Sequence, residues 1–136
     1  MIRVLVVDDQ QLLRQGLCSL LALSDKVEVA GQANDGLEAR DWLQANAGKV
    51  DVMLLDIRMP RMTGIELLNS LKQDGALLPT IMLTTFDDHE SLMGALSAGA
   101  KGYLLKDVSL ETLVDGIEAV HNGESLIQPA ITNTLI

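Results

Sequence analysis

Cysteine occurs once in these 136 residues, at Cys18. No intrachain disulfide can form, and the fold must rest on its core; a reducing compartment, the cytoplasm, fits. Cys18 itself lies in an apolar helical stretch and reads as buried filler. Aromatics are scarce too, 2% against 48% apolar residues, which leaves a core of Leu, Val, Ile, Ala and Met. No apolar run approaches the roughly 20 residues that span a bilayer, and Met1-Ile2-Arg3, followed at once by a strand pattern, lacks the layout of a signal peptide. Ten basic residues face nineteen acidic ones, for a net charge of −9 and no basic run. Attraction to a phosphate backbone needs clustered Lys and Arg, so nucleic-acid binding by this chain is not expected.

What the chain has in plenty is short apolar runs that stop abruptly at a polar group. Val4-Leu5-Val6-Val7 ends in Asp8-Asp9, and Val52-Met53-Leu54-Leu55 ends in Asp56. Ile81-Met82-Leu83 ends in Thr84-Thr85, and Tyr103-Leu104-Leu105 ends in Lys106. Buried parallel strands have this continuous apolar character, and the carboxyl edge of such a sheet is where ligands bind. Three acids, a hydroxyl and a lysine on one edge suit a divalent cation and a phosphoryl group.

Helical spacing separates the runs. Leu13, Leu17, Leu20 and Leu21 place a helix over residues 10 to about 23, and Val27-Glu28-Val29-Ala30 is a short strand. Asn34-Asp35-Gly36 reads as a turn and helix start rather than a nucleotide loop, with Ala39, Trp42 and Leu43 following. Residues 50–55 make the third strand and Pro60 marks the loop beyond it. Ile65, Leu68 and Leu71 space out a third helix, Pro79 opens the fourth strand, and Leu92, Ala95 and Leu96 mark a fourth helix that Gly99 ends. The fifth strand lies near 101–105. Ser109 caps a last helix bearing Leu110, Leu113, Val114, Ile117 and Val120, which ends near Gly123. Five strands alternating with five helices predict one α/β domain, a doubly wound five-stranded parallel sheet of flavodoxin-like order 2-1-3-4-5. Residues 1–124 form that domain, and 125–136 read as a tail or the start of a linker.

In that strand order Asp8, Asp9 and Asp56 converge. Carboxylates this close repel by about 4 kcal/mol per pair at 4 Å with an effective dielectric near 20. Such a cluster persists only with a proton, a cation or a metal. Oxygen ligands suit Mg²⁺ or Mn²⁺ better than zinc, and Lys106 supplies one compensating charge. A lone acid after a strand reads first as a helix cap; four strand ends with complementary chemistry read as a site. His89 and His121 lie on predicted helices without metal-ligand spacing and read as surface residues.

Asp8-Asp9, Asp56 within Leu-Leu-Asp-Ile-Arg-Met-Pro, Gly64, Thr84, Tyr103 and Lys106 together resemble the receiver domain of bacterial two-component response regulators over residues 2 to about 124. Gly31-Gln32-Ala33-Asn34-Asp35-Gly36 and Ala98-Gly99-Ala100-Lys101-Gly102-Tyr103 are similar to receivers of the NarL/LuxR type, which precede a helix-turn-helix output domain. The resemblance implies that Asp56 accepts a phosphoryl group from a sensor histidine kinase. It implies Mg²⁺ held by Asp9 and Asp56 directly, by Asp8 through water and by the Arg58 main-chain carbonyl. Thr84 and Lys106 then bind phosphoryl oxygens, and Tyr103 is the switch aromatic. DNA would be reached only through a C-terminal domain outside this chain, and phosphorylated receivers would pair through helix faces. Asp107 follows Lys106 where many such receivers have proline, and Thr85 is bulkier than the alanine often found there.

Two other functions compete. A stand-alone receiver that docks on a partner needs the same phosphorylation site. A haloacid-dehalogenase-type aspartyl phosphatase also places a nucleophilic Asp over Mg²⁺, but wants an acid two residues on, where this chain has Arg58. A flavin or dinucleotide module is excluded, because no glycine-rich loop follows the first strand. The expected role is therefore signalling rather than turnover.

Overall fold

The first strand is apolar and buried from Val4 to Val7 because helices cover both faces of the sheet it belongs to. The computed structural model describes residues 1–85 and 90–127. Its elements are β1 (Ile2–Val7), α1 (Gln11–Leu21), β2 (Val27–Ala33), α2 (Gly36–Ala45), β3 (Val52–Asp56), α3 (Gly64–Gln73), β4 (Thr80–Thr84), α4 (Glu90–Ser97), β5 (Gly102–Leu105), α5 (Leu110–His121) and β6 (Leu126–Ile127). The strands form one sheet in the order β2-β1-β3-β4-β5-β6, and every pairing is parallel. The five predicted strands therefore take the order 2-1-3-4-5. Within the stretch read as a tail, Leu126 and Ile127 pair with Gly102 and Tyr103 as a short sixth strand. His89 and residues 128–136 lie outside the described residues.

Alternation along the strands sorts the core into two layers. Leu5, Val7, Met53, Leu55, Met82, Tyr103 and Leu105 pack with residues of α2, α3 and α4 on one face. Val4, Val6, Val52, Leu54, Ile81, Leu83 and Leu104 pack with Leu21 of α1 and Leu113, Val114, Ile117 and Val120 of α5 on the other. β2 runs three residues further than its sequence signal. It is an edge strand whose alternate residues face solvent, and a register irregularity opposite Val4/Leu5 shifts its pairing. Gly31, Gln32 and Ala33 thus extend a strand that lacks a continuous apolar run. Trp42 of α2, partly buried, lies over Gly31, where any side chain would collide with its ring.

The caps follow the sequence. Asp35, Thr63 and Ser109 accept N–H bonds at the starts of α2, α3 and α5, and Thr63 forms a reciprocal capping box with Glu66. Gly99 and Gly123, with φ of 104° and 91°, end α4 and α5 in the left-handed region. Among the described residues no peptide bond is cis.

Gly64 starts α3 directly against the Asp56 carbonyl, and an added Cβ there would strike that main-chain oxygen. Backbone cannot yield cheaply, so Gly64→Ala should cost about 2–3 kcal/mol. Gly16, inside α1, has open space around it, so Gly16→Ala should add about 0.5–1 kcal/mol through helix propensity. Urea unfolding of the two variants checks this pair of opposite signs; a Gly64→Ala protein as stable as wild type would refute the close approach.

Candidate functional site

Strand register assembles the site. Val7, Leu55, Met82 and Tyr103 lie side by side across β1, β3, β4 and β5. The residues just beyond that row are Asp8 on β1 and Asp56 on β3. Thr84, paired with Leu105, is one step further out, and Lys106 follows Leu105. The β1/β3 boundary is also where the strand order reverses, the position at which open α/β sheets bind ligands.

There, carboxylate oxygens of Asp8, Asp9 and Asp56 all lie within 4.8 Å of one another. Asp8 and Asp56 are buried, whereas Asp9 faces solvent. Lys106 Nζ sits 3.2 Å from Asp56 Oδ2 and 3.5 Å from Asp8 Oδ2. Asp56 Oδ1 accepts the Ile57 N–H at 2.8 Å. Asp8 Oδ1 accepts the Gln10 N–H at 2.9 Å, so Asp8 serves the local turn as well as the cluster. A cavity of about 200 Å³ opens over these groups, lined by Asp9, Gln10, Asp56, Arg58, Thr84, Thr85 and Lys106. Thr84 Oγ1 donates only a long bond of 3.3 Å, to the Thr85 carbonyl.

Electrostatics mark the cluster as incomplete by itself. Burial, with Asp8 adding to it, pushes the Asp56 carboxyl up to about 6, although Lys106 and the Ile57 N–H pull the other way. One ammonium does not balance three carboxylates. The donor set is all oxygen, with no His or Cys in it, and it fits a hard divalent cation with coordination positions left for water or phosphate.

Seven expected site residues are thus placed. Asp8, Asp9, Asp56 and Lys106 form one cluster, and Thr84 and Arg58 line the same cavity. Tyr103 does not line it; its side chain is packed inside, 1% exposed. Sequence reasoning missed Arg14. This is the sole charged residue of α1, and its guanidinium is buried beside the turn that carries Asp8 and Asp9. That solitary charge in an apolar helix was the available signal. Also missed was the pairing of Asp35 with Arg61 at 2.6 Å. Burial raises the Asp35 pKa, but the Glu38 N–H and Arg61 more than offset that and hold it below the ordinary carboxylate value.

The chain is thus an α/β domain with an acidic pocket at the switch edge of its parallel sheet. The chain belongs to the response regulator receiver domain family, whose profile matches residues 4–118. It is 38% identical over 136 residues to the transcriptional regulatory protein LnrK of Bacillus subtilis (strain 168), covering 100% of this chain and 61% of that protein. It is 38% identical over 133 residues to the nitrate/nitrite response regulator protein NarP of Escherichia coli (strain K12), covering 98% of this chain and 61% of NarP. The chain thus spans about three-fifths of the length of these relatives. Among solved structures, the receiver domain of the putative response regulator NarL from Mycobacterium tuberculosis aligns with a TM-score of 0.82 at 33% identity, over 90% of this chain and 98% of that one. The response regulator ChrA of a heme-sensing two-component system aligns with a TM-score of 0.83 at 36% identity, over 98% and 63%. Receivers are signalling domains. Among the described residues no helix is long and apolar enough to cross a membrane.

The raised Asp56 pKa has a signed consequence. Between about pH 4 and pH 6 the folded carboxyl keeps a proton that the unfolded chain releases, so stability falls as pH rises through that window. Asp56→Asn removes the penalty. The metal-free variant should exceed wild type by on the order of 2 kcal/mol at pH 8 and match it near pH 4. Thermal or urea unfolding across pH measures the difference, and a variant no more stable than wild type at pH 8 would contradict it.

Proposed function

We propose that Asp56 accepts a phosphoryl group from a sensor histidine kinase and that the domain works as a phosphorylation-driven switch. The observation that carries this reading is the convergence of Asp8, Asp9, Asp56, Lys106 and Thr84 around one small cavity. In the transfer an Asp56 carboxylate oxygen attacks phosphorus, a P–O bond forms and the P–N bond to the donor imidazole breaks. The released imidazole nitrogen keeps the bonding pair and takes up a proton.

Each residue has a part in that step. Asp9 and Asp56 would hold Mg²⁺ (or Mn²⁺) directly and Asp8 through water, with the Arg58 carbonyl as a further ligand. The bound cation supplies charge neutralisation and orientation for the phosphoryl oxygens. Lys106, already 3.2 Å from Asp56, is positioned to follow a phosphoryl oxygen, and Thr84 exchanges its weak bond to Thr85 for one to phosphate. Acyl phosphate therefore favours the state in which Thr84 and Lys106 hold it. Tyr103, packed in register with Met82 two residue pairs from Thr84, passes that change to the outer face. Arg58 and Thr85 at the cavity mouth set how easily water reaches the acyl phosphate. The phosphatase alternative fails for want of an acid at position 58.

That the relative LnrK is a transcriptional regulatory protein favours transcription control as the output. In the whole protein we place the receiver in the cytoplasm ahead of a DNA-binding domain, with pairing through helix faces on phosphorylation. The kinase's approach is favoured by the surface next to the pocket. A groove of about 410 Å³ starts at Asp8 and Lys106 and runs between Leu12, Leu13 and Leu17 of α1 and Leu110 of α5. Leu12 at its rim is 83% exposed. An apolar helix presenting phosphohistidine can lie there with the donor over Asp56.

Two variants test the reading together. Asp56→Asn should take up no phosphate from either acetyl phosphate or a histidine kinase. Leu12→Glu should label with acetyl phosphate at the wild-type rate but accept from the kinase at least tenfold more slowly, because about 1.4 kcal/mol of docking energy is a tenfold effect. Intact-protein mass spectrometry reads both. Undiminished labelling of Asp56→Asn would reject the acceptor, and an unaltered kinase rate for Leu12→Glu would reject the docking surface.

A further inference from the structure

α1 is built against the usual rule. Leu12 and Leu13 face solvent, whereas the one charged side chain, Arg14, is 8% exposed. A buried guanidinium is costly unless its donors are satisfied, and here they are. Arg14 Nη1 donates to the Asp8 carbonyl at 2.7 Å and to Asn34 Oδ1 at 2.5 Å, while Nε donates to Gln32 Oε1 at 3.1 Å. The charge thus ties the main chain between β1 and the exposed Asp9 to the β2–α2 turn.

The next residue of that turn holds a second guanidinium. Asp35 Oδ2 accepts from Arg61 Nε at 2.8 Å, while Oδ1 caps α2 through the Glu38 N–H at 2.9 Å. Arg61 lies in the loop that leads from Asp56 to α3, with φ of 66° in the left-handed region that a non-glycine residue adopts only at a cost. The Gly36 N–H donates to the Met62 carbonyl at 3.1 Å and fastens the same two loops again. Asn34 and Asp35, adjacent in sequence, therefore grip the two loops that present the pocket's aspartates.

We propose that Arg14, Asn34, Asp35 and Arg61 are positioning residues for the acidic pocket, and that the β2–α2 turn is a bracket fixing the Asp8-Asp9 turn relative to Asp56. The proposal rests on the reading of those aspartates as a Mg²⁺ and phosphoryl site. Three carboxylates within 4.8 Å push apart the segments that carry them. Mg²⁺ demands near-ideal octahedral distances, so small drift of either loop weakens it. Partners that orient metal ligands change affinity by about 10- to 100-fold when removed. None of the four touches the cation or phosphate; they act through Asp8, Asp9 and Asp56.

The test compares wild type with Asn34→Ala, Arg61→Gln and Asp51→Asn. Asn34 and Arg61 are exposed, so the fold tolerates their change. Asp51 pairs with Arg3 at 3.0 Å at the opposite end of the sheet, so its loss lowers stability without reaching the pocket. The readouts are the Mg²⁺ dissociation constant by calorimetry and, in metal-free protein, amide exchange at Gln10, whose N–H reports the Asp8 turn. Asn34→Ala and Arg61→Gln should each raise the constant by about tenfold, and Asn34→Ala should speed exchange at Gln10. Asp51→Asn should keep the wild-type constant. Wild-type constants in both bracket variants, or an equal rise in Asp51→Asn, would overturn the bracket while leaving the phosphoacceptor reading intact. Failure of wild type itself to bind Mg²⁺ would instead defeat the reading of the pocket, and the bracket with it.

Discussion

Repulsion among three carboxylates is the constraint around which this domain is organised. Asp8, Asp9 and Asp56 are held within 4.8 Å, a placement that works against folding and is retained because β1 and β3 are bonded side by side. Lys106 relieves part of the charge from the end of β5. The remainder is visible in the carboxyl of Asp56, which burial and Asp8 push up to about 6. A divalent cation held by these oxygens would relieve the same stress.

The core keeps those groups in place. Alternating strand residues send Val7, Leu55, Met82 and Tyr103 into one packed layer, directly below the polar ends. Close packing leaves this row little room to adjust, so displacement at Thr84 must be met by displacement elsewhere in the layer. Tyr103, the largest fully buried side chain among the described residues, is in that row. α1 and α5 pack on the opposite face, where an apolar groove begins at the pocket and faces solvent. One edge of one sheet thus carries the polar cluster, between two separately packed faces.

Much of this was legible in the sequence. Four apolar runs with polar ends mark β1, β3, β4 and β5, and the parallel pairing brings Asp8, Asp56, Thr84 and Lys106 to one edge. Ser109, Gly99 and Gly123 marked helix ends by chemistry that the structure repeats. β2 was shortened because an edge strand with solvent on alternate residues has no continuous apolar run, and the short β6 carried too few residues to register. Asn34-Asp35-Gly36 carries the signal of a turn and helix start, and Arg14 carries none beyond its lone charge in an apolar helix. Their role depends on contacts 18, 20 and 26 residues apart, which periodicity does not encode.

On the proposed reading, a divalent cation completes the charge cluster around Asp56. Side-chain ¹³C NMR of the Asp56 carboxyl across pH measures this directly. Without metal the signal should titrate near 6; with saturating Mg²⁺ it should move to or below the ordinary carboxylate value of about 4. A titration curve for Asp56 that Mg²⁺ leaves unchanged would rule out a cation bound by this carboxylate.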